Sequence, residues 1–251
     1  MSGSLTVVGL GPGDARWLTP EADGALAAAD ALFGYGAYLD RAPVREGQSR
    51  HPSDNRQEAL RASAALDRAA AGSKVALVCG GDPGVFAMAA AVCEQIESGP
   101  PAWRTLDVEI VPGVTAMLAV AARVGAPLGH DFCALSLSDN LKPWPVIERR
   151  LDAAAQAGFV IALYNPMSQA RQWQLAAAFE RLRHYLPATT PVVFGRAVGR
   201  DDETIAVTTL QSADASSADM ATLIIVGSSE TRLVPRPGHA PLVYTPRSAT
   251  A

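Results

Sequence analysis

The chain has 251 residues, 49% of them apolar and 18% charged, with a formal net charge of -4. That supports a folded core for one large or two modest domains, while the acidic balance offers no general attraction for nucleic acid or an anionic membrane. Any anionic ligand must therefore be met by local cations. The chain opens without a basic leader and an apolar stretch, and no apolar run is long enough to span a bilayer, so a cytoplasmic protein without membrane partners is expected. Its three cysteines, Cys79, Cys93 and Cys133, are odd in number, far apart and flanked by apolar residues. They read as reduced core thiols and not as a disulfide framework or a metal site.

In chain order, the apolar, β-branched run Leu5-Thr6-Val7-Val8 predicts a strand that breaks at once into Gly9-Leu10-Gly11-Pro12-Gly13-Asp14. Glycines at a strand end let backbone come close to a ligand, because no Cβ intervenes. A dinucleotide-binding turn wants glycine at its sixth position, where this chain has Asp14, and Pro12 removes an amide donor and fixes φ. The loop reads as a rigid small-molecule elbow outside the usual NAD mode. Thr19-Pro20-Glu21 supplies an N-cap, a first-turn proline and a first-turn acid for a helix reaching about residue 29, and a short apolar segment at 31–33 ends in Gly34 and Gly36. A second helix is expected over 53–71, with Arg56, Glu58, Arg61, Asp67 and Arg68 on its solvent face and Gly72 as its stop. The continuous apolar run ending Leu77-Val78-Cys79 predicts a strand buried on both faces of a parallel sheet, and it breaks at Gly80-Gly81-Asp82-Pro83-Gly84. A third strand, over 106–111, meets Pro112-Gly113-Val114-Thr115-Ala116. Three strand ends carrying glycine and proline are what a ligand at the carboxyl edge of an open α/β sheet requires.

After a helix over about 116–124 the pattern changes, and the domain junction is expected near 112–127. The second half predicts strands over 132–137, 159–164, 191–194, 204–209 and 222–226, with helices over 146–157 and 168–184. The fold class is therefore α/β, with two α/β domains built on open sheets, over 1–114 and 115–245.

Taken together, Val8-Gly9-Leu10-Gly11-Pro12-Gly13-Asp14, Gly81-Asp82-Pro83, Val111-Pro112-Gly113-Val114-Thr115-Ala116 and Tyr164-Asn165-Pro166 resemble the tetrapyrrole methylase superfamily in order and spacing, over nearly the whole chain. Gly80-Gly81-Asp82-Pro83-Gly84-Val85, Gly125-Ala126-Pro127-Leu128-Gly129-His130-Asp131-Phe132, and Ser136-Leu137-Ser138-Asp139 followed by Pro143-Trp144 look like its precorrin-3B C(17)-methyltransferases. The resemblance implies a homodimer that uses S-adenosylmethionine, folded into a cleft between two domains. It also implies methylation of carbon 17 of precorrin-3B, coupled to ring contraction to precorrin-4 in cobalamin (vitamin B12) biosynthesis. A sister methyltransferase acting on another precorrin or uroporphyrinogen, or a non-catalytic tetrapyrrole binder, stays open beside it.

Carried over residue by residue, the resemblance assigns Pro12, Gly80, Gly81, Asp82, Val85, Thr115, Ala116, Asn165 and Ala197 to the cofactor. Asp14 either caps the following segment or acts near the macrocycle, where a carboxylate orients pyrrole N–H groups or takes a proton. His130 is the other acid–base candidate, since imidazole is the side chain that titrates near neutrality. Ser136, Ser138 and Asp139 are candidates for the substrate mouth, with Asp139 otherwise a turn former. The substrate's acetates and propionates call for cations, and Arg41, Arg45, Arg50, His51 and Arg56, with Arg196 and Arg200 later, are placed as candidates. No metal is expected. At Ser53-Asp54-Asn55 the chain departs from the Gly-Met pair carried by many relatives, which bears on fine substrate contacts there.

Overall fold

The computed structural model describes residues 3–248, which form two compact units, one ending at Thr115 and one starting at Ala116. The first contains β1 (Ser4–Gly9), α1 (Pro20–Ala28), β2 (Ala31–Tyr35), the one-turn α2 (Gly36–Leu39), β3 (Ser49–Ser53), α3 (Glu58–Ala70), β4 (Lys74–Cys79), α4 (Met88–Ser98) and β5 (Asp107–Val111). Its strands form one sheet in the order β3-β2-β4-β1-β5, and every pairing is parallel. The continuous apolar run of β4 is explained by its two faces. Val75, Leu77 and Cys79 join the cluster with Leu66 of α3 and Val92 of α4, while Ala76 and Val78 join the one with Ala22 and Leu26 of α1. A strand covered on both sides has no polar face to alternate with.

Strand order fixes where the glycine elbows lie. From β1 the chain passes to β2 and out to β3, returns to β4 between β2 and β1, and crosses to β5 on the far side of β1. The carboxyl ends of β4, β1 and β5 are therefore neighbours. The start of α1 matches its sequence signal: the Thr19 hydroxyl accepts from the Ala22 amide at 3.1 Å, and Pro20 is the first helical residue. The helix expected from residue 53 begins only at Glu58, because Ser53 closes β3 in register with Tyr35. Arg61, expected on the solvent face, is only 5% exposed. Its Nε donates to the Ser53 hydroxyl at 2.6 Å and its Nη2 to the Asp54 carbonyl at 2.7 Å, so it turns inward to brace the loop before its own helix. Burial lowers the pKa of this guanidinium.

The second unit contains α5 (Ala116–Val124), β6 (Gly125–Ala126), β7 (Phe132–Ser136), α6 (Trp144–Gln156), β8 (Val160–Tyr164), α7 (Gln174–Leu182), β9 (Pro191–Arg196), β10 (Thr204–Thr209), β11 (Thr222–Val226), β12 (Arg232–Arg236) and β13 (His239–Tyr244). The main sheet runs β10-β9-β11-β8-β7, and β12-β13-β6 form a small separate one. Since β7 and β8 are parallel and β11 is antiparallel to both β8 and β9, the strands β7, β8 and β9 all end on one edge. Ile147 and Leu151 of α6 and Leu175 and Phe179 of α7 cover one face of this sheet over Ile161, Leu163, Phe194 and Ile224. On α5, Val120 lies where a Cβ on Gly195 would be, 2.3 Å away, so the helix seats directly on β9.

The helix expected from residue 168 begins at Gln174. Ser168 and Arg171 exchange two backbone hydrogen bonds of 3.0 Å, which close a turn in its place. Of the three thiols, Cys79 is buried and Cys133 half-buried, and burial pushes them up to about 12 and about 11; Cys93 is exposed on α4, against the expectation of a core position. No helix among the described residues is long and apolar enough to cross a membrane.

Candidate active site

The elbows of the first unit are bonded to one another. Gly11 donates to the Gly81 carbonyl at 3.1 Å and Gly81 donates back to that of Gly11 at 2.8 Å. Asp82 ties in the third elbow: Oδ1 accepts from the Gly84 amide at 2.8 Å and Oδ2 from the Gly113 amide at 3.1 Å. A Cβ on Gly9 would lie 2.7 Å from the Gly113 nitrogen, and one on Gly113 only 2.3 Å from the Gly81 carbonyl oxygen. These two glycines admit each other's backbone, which corrects the simpler expectation that all of them face a ligand. Gly81 is different. Its φ of 68° is left-handed, and a Cβ there would find nothing nearer than 3.9 Å. Its bare α-carbon is uncrowded, a Cβ there standing in ordinary contact range of the Thr115 α-carbon at 3.9 Å and the Val114 carbonyl oxygen at 4.0 Å, with the half-buried Val85 four residues on. Gly80, by contrast, is pressed against the Tyr38 ring.

The first loop is held by Arg41. Its Nη2 donates to the carbonyls of Gly11 and Gly13, each at 2.7 Å, and its Nε to Gly13 at 3.1 Å. Pro12 is therefore bracketed by two fixed carbonyls. Asp14 does cap: Oδ1 accepts from the Arg16 amide at 3.1 Å at the head of the 3-10 turn Ala15–Trp17, and the carboxylate stays solvent-exposed. Much of the expected cation cluster turns out to be internal bracing. Arg45 pairs with Asp23 at 2.5 Å, Arg50 donates to the carbonyls of Leu39, Ala42 and Pro43, His51 stacks on Phe33 at 4.4 Å, and Arg196 binds Asp219 and Asp202. A lysine at position 41 has no fork with which to reach both carbonyls. Arg41→Lys is expected to cost about 1–2 kcal/mol in urea unfolding and to slow turnover about tenfold at saturating cofactor. Wild-type rates would mean that the loop holds its shape unaided.

In the second unit, Asn165 follows β8 and Ala197 follows β9, both at the edge where β7 also ends. Both are left-handed, with φ of 51° and 49°. That backbone costs an alanine roughly 1–2 kcal/mol, and strain of this kind gathers where a ligand is gripped. Ala197 is held by donation of its amide to the Ala221 carbonyl at 3.0 Å, beside an Arg196–Asp219 pair at 2.7 Å. Burial opposes ionisation of Asp219, but the Thr222 hydroxyl, Arg196 and the Ala221 amide outweigh it and hold the carboxyl below the usual range. The Asn165 amide nitrogen donates to the Ser136 hydroxyl at 2.9 Å, and Ser138 donates its backbone N–H to the same oxygen at 3.3 Å. Asp139 accepts from the Gln174 side chain at 3.0 Å, so it anchors the head of α7 and is more than a turn former. Thr115 is buried, Ala116 opens α5, and the next amide of that helix, on Met117, donates to the Tyr164 hydroxyl at 3.1 Å. His130 is half-buried in the loop before β7, one strand length from Ser136 and Asn165 at the opposite edge of the sheet. The structure does not bring it together with them.

Over residues 4–214 the chain matches the family of tetrapyrrole (corrin/porphyrin) methylases. The chain belongs to the tetrapyrrole methylases. It is 66% identical over 247 residues to the precorrin-3B C(17)-methyltransferase of Sinorhizobium sp, with 98% of this chain and 97% of that protein covered. It is 50% identical over 236 residues to the cobalamin biosynthesis protein CobIJ of Mycobacterium tuberculosis, covering 92% of this chain and 46% of that longer protein, of which it spans about half. Among solved structures, the methyltransferase CobJ superposes with a TM-score of 0.93 at 47% identity, covering 98% of this chain and 100% of that one.

Two residues of this tetrapyrrole methylase escaped sequence reasoning. Arg41 was grouped with substrate cations, although it holds the loop carbonyls 28 and 30 positions away. Arg171, only 9% exposed, donates to the Asn165 carbonyl at 3.0 Å, and its place inside an expected helix hid it. Neither carries a local signal, since an arginine's partner is set by the fold.

Proposed function

We propose that this tetrapyrrole methylase transfers a methyl group from S-adenosylmethionine to carbon 17 of precorrin-3B, coupled to ring contraction to precorrin-4, in cobalamin biosynthesis. The observation that carries this is the near full-length 66% identity to a precorrin-3B C(17)-methyltransferase, in a chain whose three elbows are intact and interlocked. A cytoplasmic homodimer is part of the same proposal.

The cofactor supplies, when bound, a methyl group on a sulfonium. In the displacement a macrocycle carbon contributes the electron pair of the new C–C bond while the S–CH3 pair returns to sulfur, so the protein's share is position and exclusion of water. The uncrowded α-carbon of Gly81, where a Cβ would meet nothing nearer than 3.9 Å, fits close approach of a nucleoside or its sulfur. We assign Gly80, Gly81, Asp82, Val85 and Thr115 of the first unit to cofactor binding, with Pro12 toward the methyl group, and Ala116, Asn165 and Ala197 of the second. The strained backbone at Asn165 and Ala197 and the apolar side chain of Val85 support the assignment. Asp82 acts through its two amide bonds, which set the spacing of the second and third elbows. Asp14, exposed beside the clamped loop, is the candidate to hold or move the proton that contraction requires, and His130, at the opposite edge of the second unit's sheet from Asn165, is its comparison. We assign Arg56 and Arg200, both exposed, to the substrate carboxylates. Arg56 adopts a left-handed φ of 64° between β3 and α3.

Methyl-labelled S-adenosylmethionine and precorrin-3B, incubated anaerobically with the protein, should give a product carrying the label at carbon 17. A tetrapyrrole recovered without label would overturn the proposal. Comparison of pH–rate profiles for Asp14→Asn and His130→Gln assigns the proton step to whichever variant loses a limb.

A further inference from the structure

Asn165 is gripped on both of its polar ends. Its side-chain Nδ2 donates to Ser136 at 2.9 Å, and its carbonyl accepts from Arg171 Nη1 at 3.0 Å. Residues 168–171 are closed by two reciprocal backbone bonds of 3.0 Å, and from that turn the Arg171 side chain reaches back to the residue after β8. The left-handed φ of 51° at Asn165 is uphill for an L-residue, although asparagine tolerates it better than most. A charge-assisted bond to the carbonyl and a second bond to the side chain fix both sides of that one residue. Both partners are withdrawn from solvent, Arg171 at 9% and Ser136 at 6% exposure, while Asn165 itself is exposed.

We infer that Arg171 is a positioning residue which, with Ser136, locks Asn165 into its left-handed turn and so presents that backbone to the cofactor. The inference rests on the proposed placement of the cofactor at Asn165. It sets Arg171 apart from the candidate substrate cations, because a guanidinium that donates to a carbonyl and is nine-tenths buried is poorly placed to follow a large macrocycle. A lysine at this position keeps the charge but offers a single ammonium on a flexible stem, so it restores part of the clamp.

Calorimetry with S-adenosylhomocysteine tests this on the intact protein. Arg171→Ala is expected to weaken binding about tenfold, Ser136→Ala about threefold, and Arg171→Lys to an intermediate degree. Glycine adopts the left-handed turn without a clamp, so adding Arg171→Ala to Asn165→Gly should change affinity by less than about threefold. In steady-state kinetics, the KM for S-adenosylmethionine should rise while the KM for the tetrapyrrole stays put. If Arg171→Ala folds and binds S-adenosylhomocysteine as wild type does, the clamp is overturned and the cofactor placement stands. A raised tetrapyrrole KM with intact cofactor affinity would likewise overturn it and assign Arg171 to the substrate instead. No binding by the wild-type protein at saturating S-adenosylhomocysteine would remove the cofactor placement itself, and the clamp with it. Should Arg171→Ala fail to fold, Ser136→Ala and Arg171→Lys carry the same comparison.

Discussion

Gly113→Ala should force apart the three elbows of the first unit, costing about 3 kcal/mol of stability and removing measurable binding of S-adenosylhomocysteine. The added carbon would lie 2.3 Å from the Gly81 carbonyl oxygen and 2.8 Å from that of Gly9, and both are backbone atoms on neighbouring strand ends. A flexible side chain could swing away; a carbonyl bonded into an elbow cannot. The Gly81 carbonyl already accepts from Gly11, so shifting it breaks a bond between the first and second elbows as well. Gly24→Ala in α1 is the control. There a Cβ meets nothing within 4 Å, and alanine should raise stability by about 0.5–1 kcal/mol through its better helix propensity. Urea midpoints with calorimetry on the same samples decide the matter. A Gly113→Ala protein that unfolds at the wild-type midpoint and binds normally would show that the elbows have slack.

The architecture of the first unit was legible because its central strands announce themselves. Val75, Ala76, Leu77 and Val78 are apolar on both faces, and each such run ends in glycine or proline. Edge and hairpin strands gave no such signal. In β3, Ser49-Arg50-His51-Pro52-Ser53 carries polar residues and a proline, which an edge tolerates because one side of its backbone makes no ladder. The hairpin of β12 and β13 was missed for the same reason, with Pro235 and Pro241 inside its strands and only one fully buried side chain, Val243.

Helix starts were misjudged where a good capping residue had other work. Ser53 looks like an N-cap in sequence, yet it ends a strand, and its hydroxyl accepts from Arg61 eight residues on. The candidate site divides in the same way. Backbone-defined positions such as Gly81 and Asn165 are visible as motif letters, since their conformation selects the residue type. Side-chain clamps are not visible: Arg41, Arg50, Arg171 and Arg196 look alike in sequence as surface cations, and only the fold shows the carbonyls and carboxylates that bind them.

Asp82 offers the complementary test to Gly113, because it removes the tie and adds no obstruction. Asp82→Leu takes both acceptors away, leaving the amides of Gly84 and Gly113 to find new partners. Gly84 is exposed, so water replaces that bond at little cost; Gly113 is half-buried, and most of an expected loss of about 1–3 kcal/mol comes from there. The effect on ligand should exceed the effect on folding. Once the second and third elbows move independently, the cofactor must order them as it binds, and affinity for S-adenosylhomocysteine should fall about a hundredfold or more. Asp82→Asn separates geometry from charge. Its amide keeps one acceptor oxygen but turns an NH2 toward one of the two backbone donors, so an intermediate loss of about tenfold is expected. An asparagine variant with wild-type affinity would mean that one tie suffices. A leucine variant with wild-type affinity would mean that the elbows are not where the nucleoside binds.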